Sequence, residues 1–338
     1  MKSLKRTATF FRRYRFNILA FGLLSCFLGI FSATPLGALP RHDRSPAVPL
    51  RVGIMPDADS IPFMVARDEG LFEAEGVQVE LISFLNPQER DAALQAGQLD
   101  ASISDLLAAV FFAQGGFNFK VTSFTDGRYG IAGSPKLSIT KLGDLRGKRI
   151  GLSTNTIIQY TVDAQLENSG LTMDAYQPVS VPRMPLRIEM ILNGQIEAVS
   201  LPEPLLSAAV AQGANLLSTT STVGIDAGVM LFSKEILDSR MDDVQHFYHA
   251  YYRAAQRINA NPNDYRDYLV EKASFPAAVR DSYQFVTYRK PGLPETAQID
   301  RVVKWLKDRQ LLSIDTTALE IFAEDLVDRR IALAAAAW

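Results

Sequence analysis

Cysteine occurs once in the 338 residues, at Cys26, and the rest of the chain has none. A body without thiols forms no disulfide, carries no thiol nucleophile and offers no cysteine to a metal. Histidine is almost as scarce, with only His42, His246 and His249. His246 and His249 stand at helical spacing that could hold a metal, but no third ligand lies near them, so no metal site is expected. Phosphate-loop and nucleophile-elbow motifs are missing too. Gly143-Asp144-Leu145-Arg146-Gly147-Lys148-Arg149 has three residues between its glycines and an arginine where Ser or Thr is required. No Gly-x-Ser-x-Gly occurs. Neither catalysis nor a cofactor is expected.

Acid is absent from residues 1–38, which hold six Lys or Arg, so the remainder carries 29 basic against 37 acidic residues. An acidic body lacks the basic face of a nucleic-acid binder. The basic start precedes an apolar run at 18–33 and then Gly37-Ala38, the order of a secretory signal, here assigned to residues 1–38. The run is long enough for an uncleaved anchor to stay open. Leu23-Leu24-Ser25-Cys26 resembles a lipoprotein cleavage box, so lipidation at Cys26 is a second alternative. Residues 39–49 read as a polar, proline-bearing linker. With 47% apolar and 21% charged residues the chain is globular.

What is present is one pattern stated twice. Leu94-Gln95-Ala96-Gly97-Gln98-Leu99-Asp100-Ala101 returns 97 residues later as Ile191-Leu192-Asn193-Gly194-Gln195-Ile196-Glu197-Ala198. Each copy reads as a helix end, a glycine in the left-handed conformation and a short apolar strand. Asn86, Pro87 and Glu89 form a capping pattern ahead of the first helix, and Pro185 opens the second. An acid follows each strand where the next helix begins, Asp105 in one copy and Glu203 in the other. Such acids are favoured by the helix dipole in any case. As a matched pair they predict two lobes, each presenting a carboxylate to a shared cleft beyond the strand ends.

Strands are predicted at 50–54, 77–81, 119–124, 129–132, 148–152, 176–181 and 229–232, with helices between most of them. Helices are predicted at 242–258, 262–272 and 295–308. The βαβ order implies parallel sheets. The fold class is α/β with two lobes, lobe 1 from 50–128 and 229–330 and lobe 2 from 129–228. Two chain crossings between them make a hinge. The aromatic cluster Phe247, Tyr248, Tyr251 and Tyr252 reads as core, and 332–338 as an apolar tail without an assigned role.

These residues resemble the type II periplasmic binding proteins of ABC importers, in the branch that binds thiamine pyrimidine precursors, sulfonates, taurine or nitrate. The resemblance covers about 50–310. It rests on Pro56-Asp57-Ala58-Asp59-Ser60, Ala66-Arg67-Asp68-Glu69-Gly70-Leu71-Phe72, the doubled Gly-Gln-x-acid-Ala and Pro202-Glu203-Pro204. It implies an exported monomeric receptor, periplasmic or anchored outside the cytoplasmic membrane, that closes on a small molecule and docks on an ABC permease. Carried over residue by residue, the ligand set is Asp57, Asp59, Ser60, Ser104, Asp105, Asn155, Thr156 and Glu203. Ser153-Thr154-Asn155-Thr156 also supports a polar anchor by itself, since it offers hydroxyls at a helix start. Several carboxylates favour an amino-bearing heterocycle such as a pyrimidine, because carboxylates accept from amino groups and repel anions. A sulfonate, taurine or nitrate would need an arginine, from Arg128, Arg183 or Arg187, each expected at the surface or between lobes. A pyrimidine-processing enzyme on the same fold is the other alternative, though the cysteine-rich loop of the eukaryotic synthases is missing.

Overall fold

The computed structural model describes residues 48–312 and 325–338. The expected leader, Cys26 and nearly all of the expected linker lie outside the described residues.

Strand β1 (Leu50–Ile54) leads through a short turn to α1 (Ile61–Asp68), α2 (Leu71–Ala74) and β2 (Val79–Ser83). Next come α3 (Pro87–Gln95), β3 (Ala101–Asp105), α4 (Leu106–Gln114) and β4 (Phe119–Phe124). A second series holds β5 (Tyr129–Gly133), β6 (Arg149–Leu152), α5 (Ile157–Asn168) and β7 (Gln177–Ser180). It continues with α6 (Met184–Leu192), β8 (Ala198–Pro202), α7 (Leu205–Ala211) and β9 (Asn215–Thr219). Strand β10 (Gly228–Ser233) is followed by α8 (Lys234–Ser239), α9 (Met241–Ala260), α10 (Arg266–Glu271), α11 (Val279–Ser282), α12 (Thr296–Asp308) and α13 (Arg330–Ala335).

The strands form two five-stranded sheets of matching design, β2-β1-β3-β10-β4 and β7-β6-β8-β5-β9. In the first, β1 is parallel to β2 and β3, and β10 runs antiparallel between β3 and β4. In the second, β6 is parallel to β7 and β8, and β5 runs antiparallel between β8 and β9. The repeated pattern lands in the same register in both, with Ala101 opposite Val52 and Ala198 opposite Ile150. Strands β3 and β8 are buried along their whole length, which suits their unalternating small and apolar residues.

The repeated glycines take the left-handed turn, φ +68° at Gly97 and +70° at Gly194, where a side chain would be strained. The repeated acids have a structural task. Asp100 accepts from Arg51 Nη2 at 2.7 Å, and Glu197 accepts from Arg149 Nε at 2.9 Å. Each pair fastens the start of the repeat's strand to the start of its parallel neighbour. The pairs are half exposed, so each adds little stability and mainly fixes register.

The chain passes between the sheets at 125–128 and again at 220–227, and the two passages run side by side. Thr125 N donates to Gly228 O at 2.9 Å, and Arg289 donates to Asp126 and lies 3.1 Å from Asp226. A third link was not legible beforehand. Helix α12 packs on α4, yet its Trp305 Nε1 donates to Asp163 of α5 at 2.7 Å, and Arg309, just beyond its end, donates to the same carboxylate. The stretch after β10 therefore grips both sheets' helices.

Phe247, Tyr248 and Tyr251 lie in the core as expected, packed with Phe63 and Phe72, while Tyr252 lies half buried against Trp338. The tail's role is also clear. Part of it is helix α13, and Trp338 sits edge-on to His249 with centroids 4.2 Å apart. His249 thus packs on the tail, while His246 is exposed. Strand β9, at the edge of its sheet with Leu216 half exposed, had no counterpart in the predicted elements.

Candidate functional site

One cavity opens where the strand ends of the two sheets face each other. The first sheet contributes Met55 and Asp57 beyond β1, Pro87 and Arg90 on α3, and Ile103, Ser104 and Asp105 at the end of β3. The second contributes Tyr129, Ser153, Thr156, Ile157, Ile158, Met184 and Pro202. This is the position beyond the carboxyl ends of parallel strands where open α/β sheets take ligands. The cavity is narrow, and its walls nearly meet.

Four of the eight expected residues line this cavity: Asp57, Ser104, Asp105 and Thr156. Asp57 takes the Ser60 amide at 3.1 Å and the Ser60 hydroxyl at 2.8 Å on one oxygen. Burial, reinforced by the charge of Asp59, holds its carboxyl well above the usual range. Asp105 caps α4 by accepting from Ala108 N at 2.8 Å, and burial raises it to about 6 against the pull of Arg90. Thr156 caps α5 through Ile158 N at 3.2 Å.

The other four sit elsewhere. Ser60 lies behind the wall, where its hydroxyl also accepts from Met55 N. Asp59 is turned toward the first passage between the sheets, so close that a Cβ on Gly127 would stand 2.1 Å from its Oδ2. Only glycine fits there. Asp59 is buried, and this raises it to about 6. Asn155 is exposed at φ +57°, its amide donating to the Gln159 side chain. Glu203 does not share the cavity of Asp105. It accepts from Ser207 N at 3.0 Å and lines a separate, wider cavity with Arg128, Leu206 and Leu216. Its backbone bridges the halves instead, because its carbonyl accepts from Ala58 N at 2.6 Å. The expected matched pair of carboxylates in one cleft is thus not what the strand ends build. The two-proline frame of Pro202-Glu203-Pro204 puts Pro202, not the acid, at the cavity wall.

Two arginines matter more than the sequence suggested. Arg90 is 4% exposed and lines the cavity. Its Nη2 stands 2.7 Å from Asp91 and 3.9 Å from Asp105 but makes no directed hydrogen bond. The Ser104 hydroxyl, buried beside it on the same wall, also has no partner. Arg187, expected at the surface or between lobes, is wholly buried, whereas Arg128 and Arg183 are exposed. It donates to the carbonyls of Val181 and Ser200, each at 2.7 Å, and to the Ser153 hydroxyl. Burial alone lowers it to about 9. Arg90 and Arg187 are 97 residues apart, the repeat spacing, and seven before their glycines, so they hold the same place in the two copies. Superposing the copies would have found Arg90.

The N-terminal ends of α3, α4, α5 and α6 all meet the cavity through Pro87, Asp105, Thr156 and Met184. Unpaired amides and aligned dipoles make such ends electropositive. Arg90 Nε donates to Asp91 at 2.8 Å, which leaves Nη2 as its unmade donor. Convergent helix starts, that unmade donor and a free hydroxyl together suit a ligand oxygen bearing negative charge.

The profile of the NMT1/THI5-like family matches residues 57–265, more than half of the chain. The chain belongs to that family. A protein of Brachyspira hyodysenteriae, named as an ABC transporter periplasmic binding protein, is 23% identical over 259 residues, covering 71% of this chain and 73% of that one. The periplasmic aliphatic sulphonate binding protein SsuA of Escherichia coli superposes with a TM-score of 0.68 at 15% identity, over 82% of this chain and 91% of that one. The desulfurization enzyme DSZB superposes at 0.61 with 14% identity, over 85% of this chain and 99% of that one. The fold is the two-lobed α/β fold of periplasmic binding proteins.

Proposed function

We propose that this protein is the extracytoplasmic solute receptor of an ABC importer. It takes a small molecule bearing an oxyanion between its two sheets and hands it to a permease. The relative named as a periplasmic binding protein supports the receptor, its location and the permease partner. One observation carries the ligand class: two buried groups able to donate, Arg90 Nη2 and Ser104 Oγ, belong to residues on one cavity wall and make no directed hydrogen bond, while Asp91 pairs with the Arg90 guanidinium from Nε. A buried donor left unmade costs about 1–3 kcal/mol, and more when charged, so a ligand oxygen that satisfies both gains that amount. The sheets, joined by two passages, act as lobes that open to admit the ligand and close on it.

A second reading keeps the amino-bearing pyrimidine expected from the sequence, since Asp57 and Asp105 could accept from its amino group. A zwitterion such as taurine would use both sets. The shared fold of DSZB keeps an enzyme in view, and the fate of the bound ligand separates the two.

Thermal unfolding of residues 45–338 with methanesulfonate, taurine, nitrate and a hydroxymethyl-aminopyrimidine tests the assignment. Ligand at a hundred times its dissociation constant stabilises by about 2.7 kcal/mol, a rise of several degrees. A rise with the oxyanions and recovery of unaltered ligand support the proposal. A rise with the pyrimidine alone transfers it to the second reading, and a converted ligand replaces the receptor with an enzyme.

A further inference from the structure

Arg187 is a buried cation for which no carboxylate serves as partner among the described residues. Its hydrogen bonds go to three carbonyls, of Val181, Ser200 and, at 3.5 Å, Pro182, and to one hydroxyl, and no neighbouring acid offsets its desolvation. A charge taken from water without a counter-charge is costly, and a protein that keeps one gains when an anion arrives nearby. The route from Arg187 to the cavity is Ser153, which is wholly buried and lines it. Because the Ser153 oxygen accepts from the guanidinium, its own proton is free to point elsewhere, and the cavity is the side left open to it.

We infer that Arg187 is the residue that sets charge selectivity. Through Ser153 it turns a serine into a committed donor and supplies the positive potential that makes the cavity prefer an anion over a neutral molecule of the same shape. This rests on the oxyanion reading and adds a residue that does not touch the ligand. Arg187 is a positioning residue, and Arg90 is its counterpart on the opposite wall. The two copies of the repeat thus place one arginine on each side of the ligand, one in contact and one a hydroxyl away.

Methanesulfonate and dimethyl sulfone are nearly isosteric, one anionic and one neutral, and titration calorimetry with both separates charge from shape. In the wild type, methanesulfonate should bind at least tenfold more tightly. Arg187→Gln should lose at least tenfold on methanesulfonate and less than threefold on dimethyl sulfone, and Arg187→Lys should recover part of the preference. Ser153→Ala, which leaves the core arginine in place, should lose three- to tenfold on the anion alone. Equal losses on both ligands, or an undiminished preference in Arg187→Gln, would overturn the role of Arg187 while leaving the oxyanion reading intact. A wild type without preference for methanesulfonate would overturn both.

Discussion

The two halves repeat a strand plan, a helix plan and a buried arginine, and they differ in what surrounds that arginine. In the first half Arg90 is hemmed by Asp91, Asp105 and, at longer range, Asp57. In the second, Arg187 is surrounded by neutral oxygens. One half balances its charge internally, and the other leaves a surplus. The lesson is that a repeated scaffold keeps its geometry through residues such as Gly97 and Gly194, and diverges at the strand ends, where side chains line the cavity.

The largest effect should follow from breaking the contact side. Arg90→Met removes the charged donor at the cavity wall and should cost methanesulfonate about 2–4 kcal/mol, roughly thirtyfold or more in affinity by calorimetry. Retained affinity would place the anion elsewhere.

An intermediate effect comes from pH, because the first half carries its own counter-charge. Asp105 titrates at about 6 when folded, above its ordinary 3.8. The folded state therefore binds this proton more tightly, and lowering the pH from 7.5 to 5 relieves a cost rather than adding one. Neutral Asp105 no longer competes for Arg90, so methanesulfonate affinity should rise severalfold as pH falls through 6. Asp105→Asn should flatten that profile; an unchanged slope in the variant would assign the titration to another group.

The smallest effect is expected at the acid that the repeat made prominent. Glu203→Gln should leave methanesulfonate affinity within about twofold, since the Glu203 side chain faces another cavity. A tenfold loss would restore the symmetric pair of carboxylates.

Much of the fold was legible because its signals are local. Asn86 caps α3 through Glu89 N, and both repeat glycines stop their helices, as spacing alone implied. The βαβ order fixed the parallel strands, and the return of 229–232 gave the second passage. Other features depend on contacts far apart in sequence. The grip of Trp305 on Asp163 spans 142 residues, and the docking of Lys290 on Trp338 spans 48. For the site, residue type located the strand-end loops but not the direction of each side chain. Asp57 and Asp59 are two apart, yet one meets the cavity and the other backs onto Gly127. Counting carboxylates placed four acids' loops near the cleft, of which the side chains of Asp57 and Asp105 line the cavity, beside Arg90 and the helix starts.

The central claim is that an oxyanion sits between the sheets, held from one side by Arg90 and Ser104 and from the other by Ser153. A crystal structure grown with methanesulfonate tests it most directly. The account predicts sulfonate oxygens within hydrogen-bond distance of Arg90 Nη2, Ser104 Oγ and Ser153 Oγ. A sulfonate bound in the Glu203 cavity beside Arg128, with the space between the sheets empty, would contradict it.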